Sequence, residues 1–133
     1  MKHLSVVRAA ILGLALAAMG TASAGSKFTG SGSVVIAKNA DGAGAATGIF
    51  GHIYNGTGVN EFIGCQKSST GGLYCQARNE ALVHVACSTN SVYLGNAVGT
   101  LSPDARVTFR FNANGACTSI TIIHSSEYQD KQG

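Results

Sequence analysis

Apolar and polar positions alternate along most of the chain after residue 25, and the alternation predicts strands. Val107, Phe109 and Phe111 are interleaved with Thr108 and Arg110. After Asn112–Gly115 (NANG), the run Cys117–Ser125 carries Ile120, Ile122 and Ile123. Two such runs around a Gly/Asn turn read as an antiparallel hairpin with one wet face. Earlier strands are expected over Lys27–Ala37, Ala45–Tyr54, Val59–Gln66, Leu73–Arg78 and Ala81–Cys87. In the last of these Val83, Val85 and Cys87 share a face, the one expected to be buried. Lys38–Gly44 and Ser68–Gly72 carry turn formers, and Asn79-Glu80 turns the chain again. Asn55-Gly56 predicts a type I′ hairpin turn, because both central positions need positive φ.

One segment departs from period two. Leu94, Val98 and Leu101 fall at i, i+4 and i+7, which predicts a short helix over about 89–101. Ser88 or Thr89 is the expected N-cap, and Ser102-Pro103-Asp104 ends the helix. The fold class expected is mainly β: a small antiparallel sandwich or open barrel of about seven strands, one short helix and two disulfides.

The first 24 residues follow a different pattern. Lys2, His3 and Arg8 precede an apolar run, Ala9–Met19, which closes on Ala22-Ser23-Ala24. Positive start, short apolar stretch and small-x-small end are the parts of a secretory signal peptide. The run is shorter than the roughly 20 residues that span a bilayer. Residues 1–24 are therefore expected to be removed, leaving one domain over 25–133 that is secreted or periplasmic and holds no membrane segment. The net charge of +3 falls to +1 once Lys2 and Arg8 are gone. No Lys/Arg cluster remains, which argues against nucleic-acid binding.

The chain has four cysteines and an export signal, a combination that favours disulfides over metal thiolates. Cys65 and Cys75 lie symmetrically about Thr70 and would oppose each other in a regular hairpin, near the Cβ separation of about 4 Å that a disulfide needs. Cys87 then pairs with Cys117 by elimination. The competing pair, Cys75 with Cys87, spans Asn79-Glu80 with the wrong parity unless a bulge intervenes, and the alternative stays open.

Candidate chemistry is sparse. His52, His84 and His124 sit on separate predicted strands without a local ligand pair, so no metal site is expected. His124-Ser125-Ser126-Glu127 holds the residue types of a nucleophilic relay, but strand neighbours point to opposite faces, and a polar tail is the better reading. The carboxylates Asp41, Glu61, Glu80, Asp104, Glu127 and Asp130 fall mostly in turns or the tail, which disfavours a glycosidase pair. Asp41-Gly42 offers calcium only one carboxylate. No cofactor motif is present. Tyr54, Tyr74 and Tyr93 are the candidate ligand contacts, since a tyrosine ring can stack on a sugar or anchor a protein. Asn55-Gly56-Thr57 fits a glycosylation sequon but is accounted for by the turn.

The runs Ile63–Cys65 (IGC), Tyr74–Arg78 (YCQAR), Ala86–Thr89 (ACST) and Phe111–Ile122 (FNANGACTSITI) resemble small, secreted, uncharacterised bacterial proteins with similarly spaced cysteines. The resemblance implies bacterial secretion and both disulfides, and carries no catalytic residue or ligand. The function expected is a non-enzymatic extracytoplasmic binding or structural domain that contacts a wall component, glycan or protein. An exposed strand edge could serve by β-addition. A secreted hydrolase inhibitor acting through Lys67–Gly72 is the alternative, and a small hydrolase the third class.

Overall fold

A computed structural model of the protein describes residues 33–56 and 58–128. The predicted leader at 1–24, most of the first predicted strand, Thr57 and Asp130 lie outside the described residues. Seven strands and two short helices follow in the order β1 (Val35–Lys38), β2 (Gly44–Ile49), α1 (Phe50–Asn55), β3 (Phe62–Lys67), β4 (Leu73–Arg78), β5 (His84–Thr89), α2 (Val92–Val98), β6 (Ala105–Phe111) and β7 (Cys117–His124). A single 3-10 turn covers Ser126–Tyr128. The strands form two antiparallel sheets, β1-β2-β6-β7 and β3-β4-β5. Their inner faces share one core, which makes the fold a small sandwich.

β6 shows why the chain layers this way. Ala105, Val107, Phe109 and Phe111 are buried, while Arg106, Thr108 and Arg110 face out. Its hairpin with β7 turns at the predicted NANG segment. Gly115 takes φ 76°, and the Asn112 side-chain oxygen accepts from the amides of Asn114 and Ala116. Phe111 pairs with Cys117 but Arg110 with Ser119, so Thr118 is the extra residue of a bulge. The predicted Lys38–Gly44 loop is likewise a tight turn, with Gly42 at φ 90° and its amide donating to the Asn39 carbonyl.

The strand expected over Ala45–Tyr54 ends at Ile49, and the predicted Asn55-Gly56 hairpin is absent. Asn55 closes α1, and Gly56 adopts φ −75°, not the positive φ of a type I′ turn. Burial outweighs the local preference here. Phe50 and Ile53, three apart, both pack on the core, which a helix allows and a strand does not. Gly48 opens the space: a Cβ there would lie 2.6 Å from Ile53 Cδ1 and 3.1 Å from Ile63 Cγ2. β2 consequently pairs with β6, about 60 residues on, and β3 pairs with β4.

Two boundaries also shift. β5 starts at His84, not Ala81, because the turn centres on Ala81. Leu82 holds φ 64°, and Asn79 Oδ1 accepts from the Val83 amide at 2.9 Å. Val85 and Cys87 are buried as expected, but Val83 sits in this turn and is 44% exposed. The helix expected over 89–101 is α2, capped by Ser91 and not by Ser88 or Thr89. β5 continues through Thr89, and Ser91 Oγ accepts from the Leu94 amide at 3.4 Å. Leu94, Val98 and Leu101 pack on the core. Ser91→Ala is expected to cost about 1 kcal/mol in urea unfolding by removing this cap. Gly44→Ala is expected to cost more, about 1–3 kcal/mol. A Cβ at Gly44 would collide with the Ala37 carbonyl oxygen across the β1–β2 ladder and lie 2.9 Å from Phe111 Cζ.

The disulfides are Cys65–Cys75, with Cα atoms 4.0 Å apart, and Cys87–Cys117, at 5.0 Å. The parity objection to the competing pair does not hold. With the turn centred on Ala81, Cys75 lies directly opposite both Cys65 and Cys87. The four sulfurs thus belong to one row that crosses the three-stranded sheet and drops to β7.

Candidate functional site

The three candidate tyrosines sit on three different elements. Tyr54 on α1 is 89% exposed, Tyr93 on α2 is 88% exposed, and Tyr74 on β4 is 39% exposed. Tyr128 is buried and accepts from Arg106 Nη1 at 3.4 Å. His52, His84 and His124 lie on α1, β5 and β7. Among the described residues no three His, Cys, Asp or Glu side chains converge as metal ligands. Asp41 Oδ1 accepts from the Ala43 amide at 3.0 Å and so stabilises its own turn.

The fold does bring three chemistry-bearing side chains together. His124 ends β7 opposite Ala105, which places it beside the Ser102-Pro103-Asp104 turn. The Ser102 hydroxyl donates to Asp104 Oδ1 and lies 3.1 Å from His124 Nδ1, which is 3.9 Å from the same carboxylate oxygen. A nucleophilic relay places the imidazole between the serine and the acid. Here the serine sits between acid and base, and the cluster latches the 102–104 turn to the end of β7. The tail reading of His124 missed this cluster, which depends on strand register.

Glu61 and Glu80 line a shallow depression with Ser33, Val34, Asn79 and Ala81. Glu61 Oε1 is engaged there, accepting from the Val34 amide at 3.0 Å. At the other end of the same sheet the β3–β4 loop is rigid. The Ser68 amide donates to the Gly72 carbonyl at 2.7 Å, the Gly71 amide to the Ser68 carbonyl at 3.0 Å, and Ser68 Oγ contacts Thr70 Oγ1 at 2.8 Å.

The outer face of β3-β4-β5 is an ordered surface array. Strand register sets it out in three transverse rows: Phe62, Arg78 and His84; Gly64, Gln76 and Ala86; Gln66, Tyr74 and Ser88. Side chains on these positions point away from the buried row of Ile63, Leu73, Cys75, Ala77, Val85 and Cys87. Arg78 lies over the Phe62 ring at 5.0 Å and donates from Nε to the Asn60 carbonyl at 2.7 Å. Phe62 and His84 approach with ring centroids 5.9 Å apart, and His84 Nε2 is 3.4 Å from Gln76 Oε1. Of these residues the sequence singles out Tyr74 as a ligand contact and His84 as a lone histidine. Phe62, Arg78 and His84 become neighbours through the register of three strands. No family model, curated protein or solved structure matches the chain.

Proposed function

We propose that this chain is a non-enzymatic binding domain that works outside the cytoplasm, in the periplasm or the medium. The observation that carries the reading is the outer face of β3-β4-β5, where aromatic, amide and guanidinium groups lie in register on a sheet braced by two disulfides. A rigid strand platform holds contact groups more closely than a loop does. The disulfides suit an oxidising compartment, and among the described residues no helix is long and apolar enough to cross a membrane. The leader pattern at 1–24 supports the same destination. The position of Ser102 between Asp104 and His124 supports a non-catalytic role for that cluster.

The test is retention of the exported, oxidised protein on immobilised polysaccharides, cell-envelope fractions and proteins from the medium. Saturable retention on at least one, undiminished by Ser102→Ala, is expected. Turnover of a substrate that Ser102→Ala abolishes would replace this reading with a hydrolase. A second reading rests on the β3–β4 loop, whose internal hydrogen bonds hold Lys67–Gly72 ready to enter an enzyme cleft. It predicts micromolar or tighter inhibition of some secreted hydrolase, lost on Thr70→Pro.

A further inference from the structure

We propose that the outer face of β3-β4-β5 binds an acidic glycan, with Arg78 taking a sugar carboxylate and Tyr74 stacking on a ring. The proposal rests on the binding-domain reading above and names the ligand class for it.

Charge is the first argument. The nine outward positions of the three strands hold one permanent cation, Arg78, one ionisable imidazole, His84, and no carboxylate. Of the carboxylates nearest in sequence, Glu61 accepts from the Val34 amide, and Glu80 lines the depression beside Ser33 and Val34. An anion approaching the face therefore meets complementary charge.

Pre-organisation is the second. A guanidinium recognises a carboxylate through two parallel N–H donors, and recognition is strongest when the fork is already fixed. Arg78 is fixed twice, by the Phe62 ring beneath it and by the Asn60 carbonyl on Nε. Both anchors leave the terminal Nη groups available to a ligand.

Shape and polarity supply the third. The middle row holds Gly64 and Ala86, and a Cβ built on Gly64 meets nothing within 4 Å. This low floor lies between the Phe62–His84 pair and Tyr74, separated along the strands by roughly 14 Å at about 3.4 Å per residue. Gln66 and Gln76 put amide donors and acceptors beside it. Protein-binding patches concentrate apolar area at their centre and polar groups at the rim. This face has the opposite arrangement, an open amide-lined middle between aromatic ends, which suits a hydroxyl-bearing chain whose sugar faces stack on rings.

The experiment is titration calorimetry of the full exported protein with polygalacturonate and with its fully methyl-esterified form, which keeps the backbone and removes the charge. Measurable binding to the acid form, at least tenfold weaker for the ester and weakened by added salt, is expected. Arg78→Ala should weaken it by about 10- to 100-fold and Arg78→Lys by less. Tyr74→Ala should cost about tenfold. Gly64→Val adds a side chain where nothing stands and should block binding with the melting temperature nearly kept, which separates loss of the site from loss of the fold. Tyr93→Ala, on α2, should bind as the parent does. Equal binding of acid and ester, or full affinity in both Arg78→Ala and Gly64→Val, would overturn the proposal. Retention only on a neutral glycan or a protein would overturn it too, yet leave the binding-domain reading standing. Retention on nothing, by a folded protein, removes both.

Discussion

Replacing Cys87 and Cys117 together by alanine is expected to destabilise the protein by about 3–4 kcal/mol, the larger of the two disulfide effects. The bridge closes a sequence separation of 30 residues, against 10 for Cys65–Cys75. In the chain-entropy account the longer loop restrains the unfolded chain more, and Cys65→Ala with Cys75→Ala should cost only roughly 2–3 kcal/mol. The native state widens the gap. Cys65–Cys75 joins strands that already share a ladder of backbone hydrogen bonds. Cys87–Cys117 joins the two sheets, where among the described residues the backbone adds a parallel bridge between Ser88 and Ala116 and the 3.0 Å bond from the Ser88 amide to the Gly115 carbonyl. Urea unfolding of both double variants checks this. The inter-sheet variant should have the lower midpoint, and a midpoint equal to or above that of the Cys65/Cys75 variant would refute the ordering.

That contrast separates what is legible in a linear sequence from what is not. Cys65–Cys75 follows from symmetry about Thr70, because the β3–β4 turn is short and its parity can be counted. β6 is legible because its four buried residues alternate without interruption. The same reasoning misplaces the next turn. Asn79-Glu80 resembles a two-residue reversal, but Leu82 at positive φ and the Asn79 side chain build a longer one centred on Ala81. Moving the centre from between Asn79 and Glu80 to Ala81 shifts the partner of Cys75 from His84 to Cys87 and removes the objection to a pairing the chain does not use.

The Asn55-Gly56 error has a different origin. The dipeptide's preference is local and small, while Phe50 and Ile53 both pack, partly buried, against the core. Full burial of one such side chain contributes roughly 1.5–3 kcal/mol, so two partly buried ones together outweigh a turn preference. The helix spacing of Phe50 and Ile53 was the available signal, but two positions are too few to establish a period. The candidate sites were hidden for a third reason. Ser102 meets His124 across 22 residues, and Phe62 meets His84 across the same number. Only the pairing of β6 with β7, and of β3 with β4 and β5, brings them together. No spacing along the chain announces them.

Phe109→Ala is expected to cost about 4 kcal/mol, within the range of 3–5 kcal/mol for buried phenylalanine truncation. Phe109 is among the largest side chains fully removed from solvent, at the centre of β6. Its neighbours decide where in the range the cost falls. Opposite it stand Ala46 on β2 and Ile120 on β7. Ala46 is too small to swing into the vacated volume, so on the β2 side the cavity should persist. Phe111 offers the internal comparison. Its ring lies 6.2 Å from that of Phe109, but it ends β6 beside the Thr118 bulge, where strand pairing is already irregular and the backbone can close in. Phe111→Ala should therefore cost at least 1 kcal/mol less than Phe109→Ala. Phe62→Ala lies on the outer sheet face and should act mainly on Arg78 and ligand affinity, with little change in stability. Unfolding midpoints of the three variants at matched slope give the order directly. Equal losses for Phe109 and Phe111 would mean that the core relaxes around Ala46 as readily as at the bulge, and that the small residues lining β2 do not hold the sheets at a fixed separation.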